Sequence, residues 1–530
     1  MTRSRLLFSL GLIAEFLVFL AIVCAVRAPS FFWSVINWDE SIYLLISRSM
    51  LDGQLLYLDV WDHKQPFVYV LFALGQLVFG KTILSIRLLA CVAVATTCFL
   101  LYRIGRTTFG EDRQGAVVAA GLYAVFSVSS GGLATNTEIL FAPFAVAAVG
   151  LILPWWVRPN STTPPSGWCC FGAGVLLGLG TFTKLIVVYE SAVVVLLLAA
   201  GWISDRRSGN PHLSFSWIIG RLGILAAGAL VPWNAGVAYF SLAGALDEFI
   251  FSNFTFNLMN LASRPALSLH SLWLVTQRQI VGESGLLWLG FVIGVGLLIT
   301  RPTSLTRGQR RLLAALIGWV VITSAIAVSL RFIFLHYYLQ AFPPLTLLGG
   351  FVFVWIWRRS ARVPVFLRVA IAVTLLVPQG LRISERWRHV SEVVDVPAAV
   401  AEHVGERVER GEYIYVANYQ PIIYFITGTE SPTRWAFPQH LISPEFRSRL
   451  GIQLRIEMAS IFSRQPVYVI VQTREESLLD PAYYRLLFTQ YLDTDYELEG
   501  YISTIALYRR RQPGDHMQDP AGSESGSIDE

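Results

Sequence analysis

Long apolar runs dominate the chain, separated by short polar loops. They fall near 6–26, 84–102, 115–130, 139–157, 168–183, 185–203, 216–240, 285–300, 312–330, 338–357 and 364–381. Many approach the ~20 residues a helix needs to cross a bilayer, so about eleven spans are expected. A further apolar stretch, 66–80, is short, is broken by Gly75 and ends at Gly80-Lys81. It reads as a helix lying at the membrane interface. After Asp39-Glu40, the positions Ile42, Leu45, Ile46, Ser49 and Met50 follow helical spacing. An amphipathic helix therefore begins near that pair, and one of its carboxylates can act as an N-cap.

Beyond residue 381 the pattern changes. Charged helical stretches alternate with β-like runs at Tyr413–Ala417, Val467–Val471 and Tyr501–Tyr508. Such alternation predicts a small α/β domain over 382–511. The tail 512–530 has few apolar residues to bury and reads as disordered. The expected organisation is a transmembrane catalytic domain over 1–381, then the α/β domain, then the tail.

Composition supports a polytopic α-helical membrane protein. The 530 residues are 54% hydrophobic and 15% charged, against roughly 25% charged in soluble domains; mean hydropathy is +0.54. The net charge of +5 gives no case for nucleic-acid binding, because the basic residues sit in short loops. Cys24, Cys91, Cys98, Cys169 and Cys170 lie in or beside apolar segments, without metal-ligand spacing or a pair suited to a structural disulfide. The first apolar run follows Arg3 and Arg5 and reads as a retained signal anchor.

Charge sets the expected topology. Arg3/Arg5, Arg103/Arg106/Arg113, Arg158, Arg206/Arg207, Arg301/Arg307/Arg310/Arg311 and Arg358/Arg359/Arg362 fall on one side if 66–80 does not span. Cytoplasmic loops are enriched in such residues. The N-terminus is then cytoplasmic, in the inner or plasma membrane. The 39–66 loop, Ser129–Glu138, Lys184, the 241–284 loop, Arg331–Tyr338 and the C-terminal domain all face outside.

The polar residues on that face are candidates for chemistry, each with a plainer reading. Asp39 and Glu40 are a general base or a helix cap. Lys64 either meets a lipid phosphate or snorkels at a helix end, with His63 beside it and Asp62 placed to hold either one. Glu138 is a second acid or a favourable charge at a helix N-terminus. Lys184 sits near a helix end. Arg331, external against the charge trend, needs an anionic partner, and His336-Tyr337-Tyr338 stand nearby.

Taken in order, these residues resemble GT-C glycosyltransferases of the protein-mannosyltransferase and aminoarabinose-transferase type. The matching pieces are Asp39-Glu40, Asp62-His63-Lys64-Gln65-Pro66, Thr137-Glu138, Gly180-Thr-Phe-Thr-Lys184 and Arg331…His336-Tyr-Tyr-Leu-Gln…Pro343-Pro344. The resemblance covers about 1–380. It implies a polyprenyl-phosphate-linked sugar as donor, used outside the cytoplasm, with inversion at the anomeric carbon. By position it implies Asp39 and Glu138 as the catalytic acids. Lys64, with His63, Lys184, Arg331 and His336, would meet the donor phosphate; Glu40, Asp62 and Tyr337 would support the site. Aminoarabinose-type members carry an Arg three residues after the catalytic Asp, where this chain has Ile42, a departure that weighs against the lipid A reaction.

The acceptor is left open between protein, lipid and polysaccharide. The sequence establishes no cofactor, and a divalent metal bridging carboxylate and phosphate is an open option. Alternatives are a transporter or flippase of lipid-linked sugars, a surface-polysaccharide polymerase or ligase, and a glycan-binding sensor. Transporters place ionisable groups near the midplane; here they crowd one end.

Overall fold

The computed structural model describes residues 3–110, 113–157, 163–207, 213–265, 268–325, 334–474 and 479–512. Arg331 and almost all of the expected disordered tail lie outside them. The chain divides into two compact units, Met1–Val394 and Asp395–Glu530.

Among the described residues, the apolar runs of the first unit lie largely on helices. They are α1 (Arg3–Arg27), α4 (Ile83–Thr108), α5 (Arg113–Phe126), α6 (Thr137–Val157), α7 (Gly167–Thr183), α8 (Val188–Arg207) and α9 (Phe215–Leu242). Gly285–Thr300, Arg307–Ser324, Phe342–Arg359 and Val365–Glu392 follow. Among the described residues, seven helices are long and apolar enough to cross a membrane. Shorter apolar helices occur at α3 (Pro66–Phe79), α7 and Gly285–Thr300. The protein is a multi-pass α-helical membrane protein.

Close helix packing explains several glycines. A Cβ on Gly174 would meet the Leu225 carbonyl at 2.1 Å, and one on Gly178 the Ala229 carbonyl at 2.4 Å. α7 and α9 therefore touch through backbone, the arrangement small residues permit in lipid. α3 buries Val68, Tyr69 and Phe72 and leaves Leu77 and Val78 exposed. Its Gln76 donates to Ser47 Oγ at 2.6 Å, tying it to α2 (Trp38–Leu51).

Three expectations change. The N-cap of α2 is Asn37, whose side chain accepts from the Asp39 backbone N–H at 3.0 Å. Asp39 and Glu40 therefore lie inside the first turn, and both side chains are released from capping. The stretch 241–284, read as a long loop, contains helices Leu246–Ile250, Phe256–Ala262 and Leu269–Gln277, with π-helical turns at Phe251–Thr255 and Arg278–Glu283. The helix Val365–Glu392 runs through residue 382, because nothing but Pro378 interrupts its pattern.

The second unit is α/β. Its strands are β1 (Ile414–Val416), β2 (Tyr468–Gln472), β3 (Tyr496–Ile502) and β4 (Ile505–Arg510), in the order β1-β2-β4-β3. β1 and β2 are parallel; β4 is antiparallel to both neighbours. The run 501–508, read as one strand, straddles the β3–β4 hairpin, whose Ser503 takes a positive φ of 55°. A core of Tyr415, Met458, Ile461, Val469, Val471, Tyr483, Leu487 and Ala506 fills one side of the sheet.

Candidate active site

Five segments meet at one end of the helical unit. α6 starts there, at Thr137-Glu138, and α7 ends there, at Lys184. The first turn of α2 and the 55–66 segment join them, as does the 3-10 helix Leu335–Ala341.

Asp39 and Glu40 have opposite surroundings. Glu40 is fully buried and receives both guanidinium nitrogens of Arg87, at 2.5 and 2.7 Å. It also accepts backbone N–H groups from Ile36 at 2.6 Å and Thr135 at 2.8 Å. It fastens the start of α2 to α4 and to the segment before α6. Arg27 holds that same segment from below, donating to the Gly132 and Leu133 carbonyls at 2.8 and 2.7 Å.

Asp39 keeps 32% of its side chain exposed and faces Lys64, with Nζ 3.7 Å from Oδ2. The Tyr43 hydroxyl donates to the same oxygen at 3.1 Å. Burial works to raise the Asp39 pKa, but Lys64, then Lys184 and His336, outweigh it and hold the carboxyl below its usual range. Burial likewise works against the charge on Lys64, and Asp39 and Asp62 reverse this, raising the ammonium pKa. Each group thus keeps the other ionised.

Lys184 follows a different course. Its ammonium contacts Glu138 at 2.5 Å, both side chains being nearly buried. The second Glu138 oxygen accepts from Thr137 Oγ1 at 3.1 Å. The Lys184 ammonium also lies 4.6 Å from the centre of the Tyr337 ring, a cation–π distance, and Tyr337 packs edge-on to His336. Asp62 accepts from Tyr69 at 2.7 Å and from the His63 backbone N–H at 2.7 Å. Its oxygen lies 3.0 Å from His63 Nδ1.

Of the residues chosen from sequence, Asp39, Lys64, Glu138, Lys184, His336 and Tyr337 come together in one field of charge, with Asp62 and His63 beside them. Glu40 stands apart, sealed behind Asp39, and Arg331 lies outside the described residues. Sequence reading missed Arg27, Arg87 and the Glu190–Gln340 hydrogen bond between α8 and the Leu335–Ala341 segment. Arg87 and Glu190 were visible as lone charges within apolar runs, where an ionisable group needs a partner. Among the described residues of this unit, no three His, Cys, Asp or Glu side chains gather to hold a metal. Asp39 is the carboxylate most open to share one with a ligand.

The helical unit is a bundle of apolar helices with charged side chains collected at one end. The chain matches the solved structure of the aminoarabinose transferase ArnT from Cupriavidus metallidurans bound to undecaprenyl phosphate with a TM-score of 0.63. That match has 14% identity and covers 93% of this chain and 97% of the other; the apo structure gives 0.61. Residues 63–233 match the family model for dolichyl-phosphate-mannose-protein mannosyltransferases. Undecaprenyl phosphate-alpha-4-amino-4-deoxy-L-arabinose arabinosyl transferase of Pseudomonas aeruginosa is 28% identical over 209 residues, 38% of this chain and 36% of the relative. A Pseudomonas fluorescens relative of the same description is 26% identical over 37% of this chain and 33% of its own. The aligned part thus spans about a third of these relatives' length. The resemblance to the aminoarabinose-transferase type therefore holds in local sequence and in overall fold.

Proposed function

We propose that this protein transfers a sugar from a polyprenyl-phosphate carrier to an acceptor at the membrane's outer face. The observation carrying this reading is the Asp39–Lys64 pair, a carboxylate kept ionised beside an ammonium at the polar end of an apolar bundle. Support comes from relatives named as undecaprenyl-phosphate-sugar transferases and from an ArnT structure that binds undecaprenyl phosphate.

In this mechanism Asp39 takes the proton of the acceptor hydroxyl or amine as that atom attacks the anomeric carbon. The bond from that carbon to the phosphate oxygen breaks, and its electron pair leaves with the polyprenyl phosphate. Lys64 stabilises the leaving phosphate, and His336 and the Lys184–Glu138 pair shape the field around it. A single displacement inverts the anomeric centre. Glu138 acts through Lys184, since both its oxygens already accept hydrogen bonds. Ile42, buried at 3% exposure, offers no cation to the site, so the donor sugar and acceptor need not be those of the aminoarabinose transferases. A divalent ion, if used, would share Asp39 with the donor phosphate, and chelation by EDTA before assay tests this.

The charge alternation supports a cytoplasmic N-terminus, with the site and second unit outside. Membrane-impermeant labelling of cysteines placed singly at positions 54 and 308 of a cysteine-free variant tests the orientation. Position 54 labels in intact cells if the assignment is right; labelling only at 308 reverses it. For the reaction, purified protein in proteoliposomes is given undecaprenyl-phosphate sugars and the release of undecaprenyl phosphate is followed. Turnover that is lost in Asp39→Asn supports the reading. Lipid-linked sugar that crosses the bilayer unhydrolysed, with no turnover, would favour a flippase instead.

A further inference from the structure

The segment that carries Lys64 is gripped by a separate helical segment to which the reaction assigns nothing. The Tyr57 hydroxyl donates to the Lys64 carbonyl at 2.6 Å. Tyr57 is fully buried and adopts a positive φ of 72°, a strained conformation for an aromatic residue that its surroundings must enforce. Asn253 Nδ2 donates to the Tyr57 hydroxyl at 3.1 Å and to the Phe249 carbonyl at 2.8 Å. Asn257 Nδ2 donates to the His63 carbonyl at 3.0 Å, as well as to Ser252 and Asn253 carbonyls within its own segment. The carbonyls of His63 and Lys64 are thus both held by side-chain donors, one directly and one through a relay.

Aromatic packing reinforces the grip. Phe256 meets Trp61 edge-on at 5.1 Å and His63 at 5.3 Å, while Phe249 lies 6.3 Å from the Tyr57 ring. Asn253 lies in the π-helical turn Phe251–Thr255. Such a turn holds one residue more than an α-helical turn, and π-turns are frequent at functional sites. Asn253 and Asn257, four apart and so on one helix face, both reach the 57–64 segment. Pro66 closes the other end by restricting Gln65 to an extended conformation. A lysine side chain is long and flexible, so the position of its ammonium depends on a backbone fixed on both sides.

We infer that Asn253 and Asn257, acting with Tyr57, are positioning residues that set Lys64 for the donor phosphate. This makes the 246–262 segment a determinant of donor-lipid binding. The inference rests on the proposed reading of Lys64 as the phosphate-binding cation.

The test is a double-mutant cycle in the full-length protein, with undecaprenyl phosphate binding followed by tryptophan fluorescence in detergent. Asn257→Ala is expected to weaken binding about fivefold, the equivalent of one hydrogen bond, and Asn257→Gln to restore part of it. Added to Lys64→Ala, Asn257→Ala should weaken binding no further, because it acts only through Lys64. Additive losses would mean that Asn257 contacts the lipid or acts elsewhere, and would overturn the inference. If Lys64→Ala leaves binding unchanged, the parent reading fails. Hydrogen exchange judges the grip itself, independently of the donor. Amides of 55–65 should exchange faster in Asn257→Ala at unchanged melting temperature, and unaltered exchange there would overturn the positioning role.

Discussion

Asp39 and Glu40 are neighbours in the chain with the same charge and opposite fates. Glu40 points inward, where four hydrogen bonds from Arg87, Ile36 and Thr135 consume its oxygens. Asp39 points to the open end, where it meets Lys64 at 3.7 Å and retains room for another ligand. The helix explains the split. Successive side chains are turned about 100° apart, so the α2 turn that sends one carboxylate to the α4 interface sends the other to the mouth. A buried pair of the first kind organises structure, because either charge alone would be stranded in a dry place. A partly exposed pair of the second kind leaves both partners ionised and reachable, which chemistry requires.

Substitutions at the two positions should separate along these lines. Asp39→Asn is expected to lower turnover by about 10²–10⁴-fold with little change in melting temperature; an equal fall in stability would mark Asp39 as structural too. Glu40→Gln should do the reverse. Removing one partner of a buried pair costs about 3–5 kcal/mol, visible as a lower melting temperature or loss of monodisperse protein, and Arg87→Met should match it. Stable, inactive Glu40→Gln protein would break the distinction. Lys184→Met tests the intermediate case, since it strands Glu138 near the site; stability and turnover should both fall.

The pH dependence gives a smaller effect. A lowered Asp39 pKa means the base stays deprotonated until the pH falls below the usual carboxylate value of about 4. The stability its ionisation contributes is present above the unfolded value and is lost as the pH falls through the folded one. No acid limb from Asp39 is therefore expected in rate measurements between about pH 5 and 8. In Lys64→Gln the largest lowering influence is gone while burial remains, so the acid limb should move to higher pH. An unmoved limb would show that Lys64 does not govern Asp39.

The two units also differ in how much of each could be read in advance. In the helical unit the described parts of the apolar runs became largely helical, since a chain in lipid must satisfy its backbone within each segment. The small unit was legible only in outline. Its run 501–508 carries β-formers on both sides of Ser503, and the turn there depends on β4 pairing with both β2 and β3. The stretch 241–284 hid its helices because its apolar residues pack against aromatic neighbours such as Tyr57 and Trp61 instead of forming a lipid-length run.

For the site, residue type and order along the chain were enough to choose Asp39, Lys64, Glu138 and Lys184. Nothing local distinguished a lysine that pairs with a buried glutamate from one that faces the donor, or Asp39 from Glu40. Asn253 showed only as part of Asn253-Phe-Thr255, which matches a glycosylation acceptor pattern, and Asn257 carried no signal of its own. What the sequence determined alone was a membrane bundle with its chemistry gathered at one end, because hydrophobic length and charge placement act through the solvent and need no partner. The tertiary structure decided which charges are paired, which are open and which backbone is held, because those depend on distances between segments far apart in the chain, such as the 196 residues between Tyr57 and Asn253.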